Sequence, residues 1–349
     1  MAPITIAKTV NAIQELKFVE EIDVQDALRL LNSSFLSDTW RLGYSDDLAS
    51  KLYANEKKQI EDYVSRYDED IKGVPVLYTK KKASWGRPFV ADSLGMTAFR
   101  KQVRNTFLRN NYYDIDLKNA QIALLVQLCM KNNIKPPPVL INYVTNRDAV
   151  LDSTAASFGV SRKEAKELYL RLVFFGTYDG FVYAMRDEGK TGYPKKPPQE
   201  IAEFMAAVRS LVPPFKKENP SLSKYVSRVE NERHRNKDGQ FMALYLQEYE
   251  SMIVGDLLAY LANSHHDLIA SADPRYVAAT YEFDGMKLLK RNVDEFPGGM
   301  KGVIDIMESF IVRKFEISLS FEEKPISDGY DLTGIDPIVF ECASLSKSK

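Results

Sequence analysis

The sequence predicts an α+β protein: one small antiparallel sheet collected from distant segments, with a large helical insertion between them. Three observations predict it. Strand-type stretches, YYDIDL at 112–117 and two runs flanking Asp284–Gly285 in RYVAATYEFDGMKLLK, lie far apart in the chain. Between them, residues 139–262 repeat apolar positions every three to four residues, broken only by Gly and Pro clusters. A helix, GVIDIMESFIVRKF, and a strand, ISLSFEE, follow, so strands and helices are segregated rather than alternating.

The elements follow in order. The first seventy-odd residues read as helices, because VQDALRLLNSSFL and DDLASKLYANEKKQIEDYVSRY both carry helical apolar spacing. VPVLYT is a strand, and a loop with Gly86 and Pro88 leads to a helix over MTAFRKQVRNTFLRNN, which puts Arg100 and Arg104 one turn apart. After the strand YYDIDL, Asn119 is placed to cap the helix AQIALLVQLCMKNN, and Pro136–Pro138 end it. SRKE, residues 161–164, is a capping box opening the helix through EAKELYLRLVFF. YPKKPP and VPPFKKENP read as loops, and a long helix covers 240–262. Asp284–Gly285 reads as the tight turn of a hairpin, and CASLSKSK as a disordered tail.

Composition excludes several classes. The 349 residues hold 2 cysteines and 3 histidines, so neither a disulfide framework nor a cysteine–histidine zinc site is expected. No apolar run reaches bilayer-spanning length and the start MAPITIAKTV lacks a signal pattern, which predicts an intracellular, soluble protein with no membrane partner. The net charge is −1 but unevenly spread. Residues 80–111 carry Lys80, Lys81, Lys82, Arg87, Arg100, Lys101, Arg104 and Arg109 against Asp92 alone. Such a block is either a solvated helix face or a phosphate-backbone surface.

Two constellations point to phosphate chemistry. Residues two apart on a strand share a face, so Asp114 pairs with Asp116 and Glu282 with Asp284; in one sheet the four converge. Clustered carboxylates suit divalent metals acting on phosphates, although Asp-Gly is also an ordinary hairpin turn. On the capping-box helix, Arg162 and Lys166 lie one turn apart with Phe174 two turns beyond, a face able to take a nucleoside triphosphate.

In order, these pieces resemble the family A DNA polymerase superfamily. The D-x4-Q of IDLKNAQIALL resembles its motif A, RKEAKELYLRLVFFG its motif B (R-x3-K-x7-[YF]), and YEFDGM its motif C. A closer resemblance is to the transposon–virus polymerases related to family A and to phage-type single-subunit RNA polymerases. It rests on GRPFVADSLGMTAFRKQVRNTFLRNNYYDIDLKNAQ, NYVTNRDAVL and LQEYESMIV, and covers about residues 80–325.

The resemblance implies a right-hand fold with an antiparallel palm sheet and helical fingers. Its parts are a reduced helical region, thumb-like or accessory, at 1–75, palm at 76–130, fingers at 131–264, palm again at 265–340 and a flexible tail at 341–349. It implies a viral or mobile-element DNA polymerase working on a DNA primer–template and nucleoside triphosphates with two Mg²⁺ or Mn²⁺ ions, without proofreading. Asp116 and Asp284 are then the catalytic metal ligands, with the Leu117 carbonyl and Glu282 assisting. Arg162, Lys166, Phe174 and Gln121 hold the nucleotide. Lys81, Arg87, Arg100, Arg104, Gln247 and Glu250 approach the nucleic acid. Phe283, Gly285, Phe175 and Gln121 depart from the family pattern. They leave open an RNA-making or primase-like enzyme, and a decayed polymerase that only binds nucleic acid.

Overall fold

In the computed structural model the described residues are 12–41, 45–80, 85–187, 189, 193–228 and 236–338. A 3-10 turn, Ala12–Glu15, precedes β1 (Phe18–Glu20), α1 (Val24–Asn32), α2 (Phe35–Arg41) and α3 (Asp46–Val64). Then come β2 (Val74–Val76), β3 (Tyr78–Thr79), β4 (Phe89–Val90), α4 (Lys101–Leu108), β5 (Tyr112–Leu117) and α5 (Ala120–Lys131). The helical stretch continues with α6 (Pro138–Thr145), α7 (Arg147–Phe158), α8 (Arg162–Val173), α9 (Tyr178–Asp187), α10 (Gln199–Glu218), α11 (Pro220–Arg228) and α12 (Lys237–Ser264). The chain returns through β6 (Val277–Tyr281), β7 (Gly285–Leu289), α13 (Lys290–Glu295), α14 (Gly299–Phe315) and β8 (Phe321–Lys324).

The α+β class holds. Six strands form one sheet in the order β2-β1-β6-β7-β5-β8, and β3 pairs with β4 alone. Alternation gives the large sheet two buried faces. Ile115, Leu117, Val277, Met286 and Leu288 pack into a core shared with α5, α8, α12 and α14. Tyr112, Ala278 and Leu289 face the opposite way, into a second core with α1, α3 and α4.

Four expectations need correction. The sheet is mixed, not antiparallel, because β1 runs parallel to β6. β1 interrupts the region read as all-helical: its three residues are all buried, so no alternation marks it. α10 runs through Pro213 and Pro214, where a loop was expected. Burial of Val208, Leu211, Val212 and Phe215 on its inner face outweighs the two lost donors. A 3-10 turn, Met96–Ala98, precedes α4, which begins only after Arg100. The tail expected at 341–349 lies outside the described residues, and no described helix is long and apolar enough to cross a membrane.

Glu20 shows why β1 reads poorly as sequence. Its carboxylate is fully buried and accepts from Tyr63 Oη at 2.8 Å, Tyr78 Oη at 3.3 Å and the Met96 amide at 3.1 Å. Burial, opposed by those donors, raises its pKa from 4.5 to about 7. A carboxyl harder to ionise when folded stabilises most below its unfolded pKa. That contribution, about 3 kcal/mol for such a shift, is lost between about pH 4.5 and 7. Glu20→Gln is expected to flatten the urea midpoint against pH across this window. A slope as steep as in the parent would assign it to other groups.

Candidate active site

The site starts from strand register. β5 and β7 pair antiparallel with Asp116 opposite Gly285 and Asp114 opposite Lys287, and β8 lies on the other side of β5. The β6–β7 turn is Glu282–Phe283–Asp284, closed by Glu282 N–H donating to the Gly285 carbonyl at 3.0 Å. This corrects the Asp284–Gly285 turn: Phe283 takes the left-handed conformation, φ +65°, and Gly285 is already in β7. Leu117 N–H donates to the Asp284 carbonyl at 3.0 Å, which locks the turn to the end of β5. Gly285 is required by crowding: a Cβ there would sit 2.0 Å from Asp116 Oδ1 and 2.4 Å from the Ile115 carbonyl.

Asp116 and Asp284 are thus brought together. Burial first, and Asp116 beside it second, push the Asp284 carboxyl up. Lys324 reaches across from β8 and donates to Asp116 Oδ2 at 2.6 Å. Burial works against its ammonium, but Asp116 and Asp284 outweigh that and raise its pKa. Lys166 is lowered, by burial and then by Lys324 and Arg147. Glu282 does not join the aspartates. It contacts Lys287 at 3.5 Å and Arg104 at 3.3 Å, and Lys287 also holds Asp114 at 2.7 Å. Burial pushes the Glu282 and Asp114 carboxyls up.

A cleft of about 250 Å³ opens at Asp284, with Asp116 behind the Lys324 that lines it. Asp284, Leu117, Lys166, Arg147, Lys324 and Arg87 line it, with Phe174, Gln121 and Gln247 further round. Arg162 is elsewhere: it is exposed and bound to Asp148 and, at 2.6 Å, to Asp152 on α7. As the first residue of α8 it points back at the neighbouring helix, while Lys166 one turn on reaches the cleft. Arg147, first residue of α7, stands in the cleft with its Nε buried and unbonded. Reading the residues as sequence missed Arg147, Asn119, Glu322 and Lys324 as lining groups. The quoted NYVTNRDAVL contains Arg147, but Lys324 had no signal beyond following a strand. Asn119 occupies the N-cap position of α5 without a side-chain capping bond. Its backbone is left-handed, φ 57°, and its Oδ1 is buried without a partner.

Four of the described cations of the basic block are held in ion pairs. Lys80 pairs with Glu248, Arg87 with Glu250 at 3.0 Å, Arg104 with Glu282, and Arg100 with Glu56 at 2.6 Å while stacking on Trp40. Charge counting along the chain missed these pairs because their acids lie on remote elements. Lys81 lies outside the described residues. Glu250 is fully buried against Arg87 and Gln121, and burial pushes its carboxyl up to about 7. That placement removes it from any surface contact, whereas Gln247 reaches the cleft.

For a divalent ion, the oxygens on offer are the Asp116 and Asp284 carboxylates beside Leu117. No group of three or more His, Cys, Asp or Glu gathers as a metal cluster among the described residues. Hard oxygen donors suit Mg²⁺ or Mn²⁺, and two adjacent carboxylates, one resisting ionisation, fit a divalent cation.

A phosphate-binding loop of the G-x4-G-K-[ST] type is absent from the sequence. The nearest spelling, AMRDEGKT from Ala184, lacks the first glycine and begins within helix α9. No protein-family model matches the chain. A protein of Sputnik virophage described as "Putative helicase V13" is 24% identical over 321 residues, covering 92% of this chain and 38% of that protein. The chain therefore spans less than half the length of that relative. The comparison corrects the functional expectation of a polymerase making DNA or RNA, since the relative it finds is described as a putative helicase.

Proposed function

We propose that this chain is the nucleic-acid-engaging part of a helicase-like enzyme, and that its cleft binds a nucleoside triphosphate through a divalent metal. The observation that carries the reading is the meeting of Asp116 and Asp284 beneath Lys166, Arg147 and Lys324. A helicase consumes nucleoside triphosphates while holding nucleic acid, and the virophage relative supports that class. Mg²⁺ bound at the two aspartates, by their carboxylates and the Leu117 carbonyl, would neutralise phosphate charge and polarise a phosphate oxygen. Lys166 and Arg147 then grip the outer phosphates, and Phe174 and Gln121 border the base and sugar. Lys324 holds Asp116 by a hydrogen bond at 2.6 Å, and its ammonium would compete with a divalent ion for that carboxylate. Nucleic acid enters beside Arg87 and Gln247. The palm-and-fingers architecture is proposed as the ancestry of the fold, supported by the order of β5, α8 and the β6–β7 hairpin.

Titration with a fluorescent ATP analogue tests the reading. Binding is expected with Mg²⁺ and to disappear with a chelator. Lys166→Ala and Arg147→Ala should each weaken it about tenfold, the loss of a charge-assisted phosphate contact. Arg162→Ala should leave it unchanged. Metal-independent binding, or equal loss in all three variants, would reject the reading.

A further inference from the structure

The hairpin of β3 and β4 carries a feature that folding does not require. Its register, Tyr78 opposite Val90 and Thr79 opposite Phe89, turns Tyr78 inward, where it is fully buried, and Phe89 outward, where it is 62% exposed. Leu77, on the outward parity of the same hairpin, is 42% exposed. A lone exposed apolar side chain is ordinary, but Phe89 belongs to a group. Its ring meets Phe283 edge to face with centroids 6.0 Å apart, and the Arg87 guanidinium lies 4.6 Å from the centre of the Phe283 ring. Phe283 holds a left-handed backbone, a conformation that costs an aromatic residue free energy and is retained where surroundings enforce it. Phe283 directly precedes Asp284 in the β6–β7 turn, and Asp284 and Arg87 both line the cleft.

We infer that Arg87, Phe89 and Phe283 form a stacking platform on which single-stranded nucleic acid lays a base at the mouth of the cleft. The inference deepens the function proposed above and rests on nucleic acid reaching this cleft. Charge selects the occupant. Arg147, Lys166 and Lys324 stand in the adjoining cleft, so the surroundings favour a polyanion over an apolar protein segment. Every base offers a π-face to an exposed phenyl ring, so the platform tolerates any sequence. Because Arg87 is already paired with Glu250, the platform contributes stacking and not phosphate charge.

The test is fluorescence anisotropy of the full chain with a labelled oligothymidylate of about twenty nucleotides, and with an abasic strand of equal length. Phe89→Ala, at an exposed position, is expected to keep the parental melting temperature. It should weaken oligothymidylate binding about 5- to 150-fold, leave the salt dependence unchanged, and bind the abasic strand as the parent does. Phe89→Trp should restore affinity and show tryptophan quenching on binding. Equal oligothymidylate affinity in the parent and Phe89→Ala overturns the platform and leaves the nucleotide cleft standing. Equal loss on the abasic strand also overturns it. Absence of strand binding by the parent overturns both the platform and the nucleic-acid part of the proposed function. The metal-dependent binding of the ATP analogue reads the cleft separately.

Discussion

Lys287→Ala is expected to lower the free energy of unfolding by about 3–5 kcal/mol, the cost of stranding buried charges. The Lys287 side chain is 2% exposed on β7 and contacts Asp114 at 2.7 Å and Glu282 at 3.5 Å. Among the described residues, removing it leaves Glu282 with the Arg104 ion pair and Asp114 with no ion pair. Burial already pushes both carboxyls up, so they take protons readily once the ammonium is gone. The deficit should therefore shrink as pH falls. Urea unfolding of Lys287→Ala and the longer Lys287→Met at pH 5 and pH 8 checks this. A deficit below about 1 kcal/mol, or one independent of pH, would mean that the cluster is better solvated than its burial implies.

Gly285→Ala should be the most damaging small change at the site. The added carbon would meet Asp116 Oδ1 at 2.0 Å, the Ile115 carbonyl at 2.4 Å and Asp116 Cα at 2.9 Å. Two of these are backbone atoms of the neighbouring strand, which can yield only by opening the β5–β7 pair. A cost of about 3 kcal/mol is expected, the upper end of ordinary overpacking. The ATP analogue should bind at least about tenfold more weakly in the folded fraction, since Asp116 must leave its place. Thermal unfolding and the titration on one preparation separate the effects. Normal stability with normal binding would show that the strands can part at Gly285 without disturbing the aspartates.

What could be read from the sequence was what local pattern controls. Period-two alternation marked β5, the capping box marked the start of α8, and spacing put Asp114 and Asp116 on one face. The α+β class followed from the same patterns. β1 escaped because three consecutive buried residues, one of them Glu20, carry no period. α10 escaped because tertiary burial overrode two prolines. At the site, Asp116 and Asp284 meet because β5 and β7 pair in one sheet, and Lys166 reaches the same cleft, which spacing alone did not show. Arg162 and Arg147 exchanged places because the packing of α7 on α8 decides which cation faces the cleft. Lys324 and Glu282 could not be assigned from sequence, since ion-pair partners are set by strand register. Lys80, Arg87, Arg100 and Arg104 of the basic block are drawn into ion pairs for the same reason: Glu56, Glu248, Glu250 and Glu282 are distant in sequence and adjacent in space.

The central claim is that Asp116 and Asp284 together hold a divalent cation. Electron paramagnetic resonance of Mn²⁺ titrated into the full chain measures it directly, with Asp116→Asn and Asp284→Asn as comparisons. A saturable Mn²⁺ site that is lost in both variants, and strengthened in Lys324→Ala where the competing ammonium is gone, is the predicted result. Mn²⁺ binding that survives both substitutions, or none in the parent with or without ATP, would contradict the account.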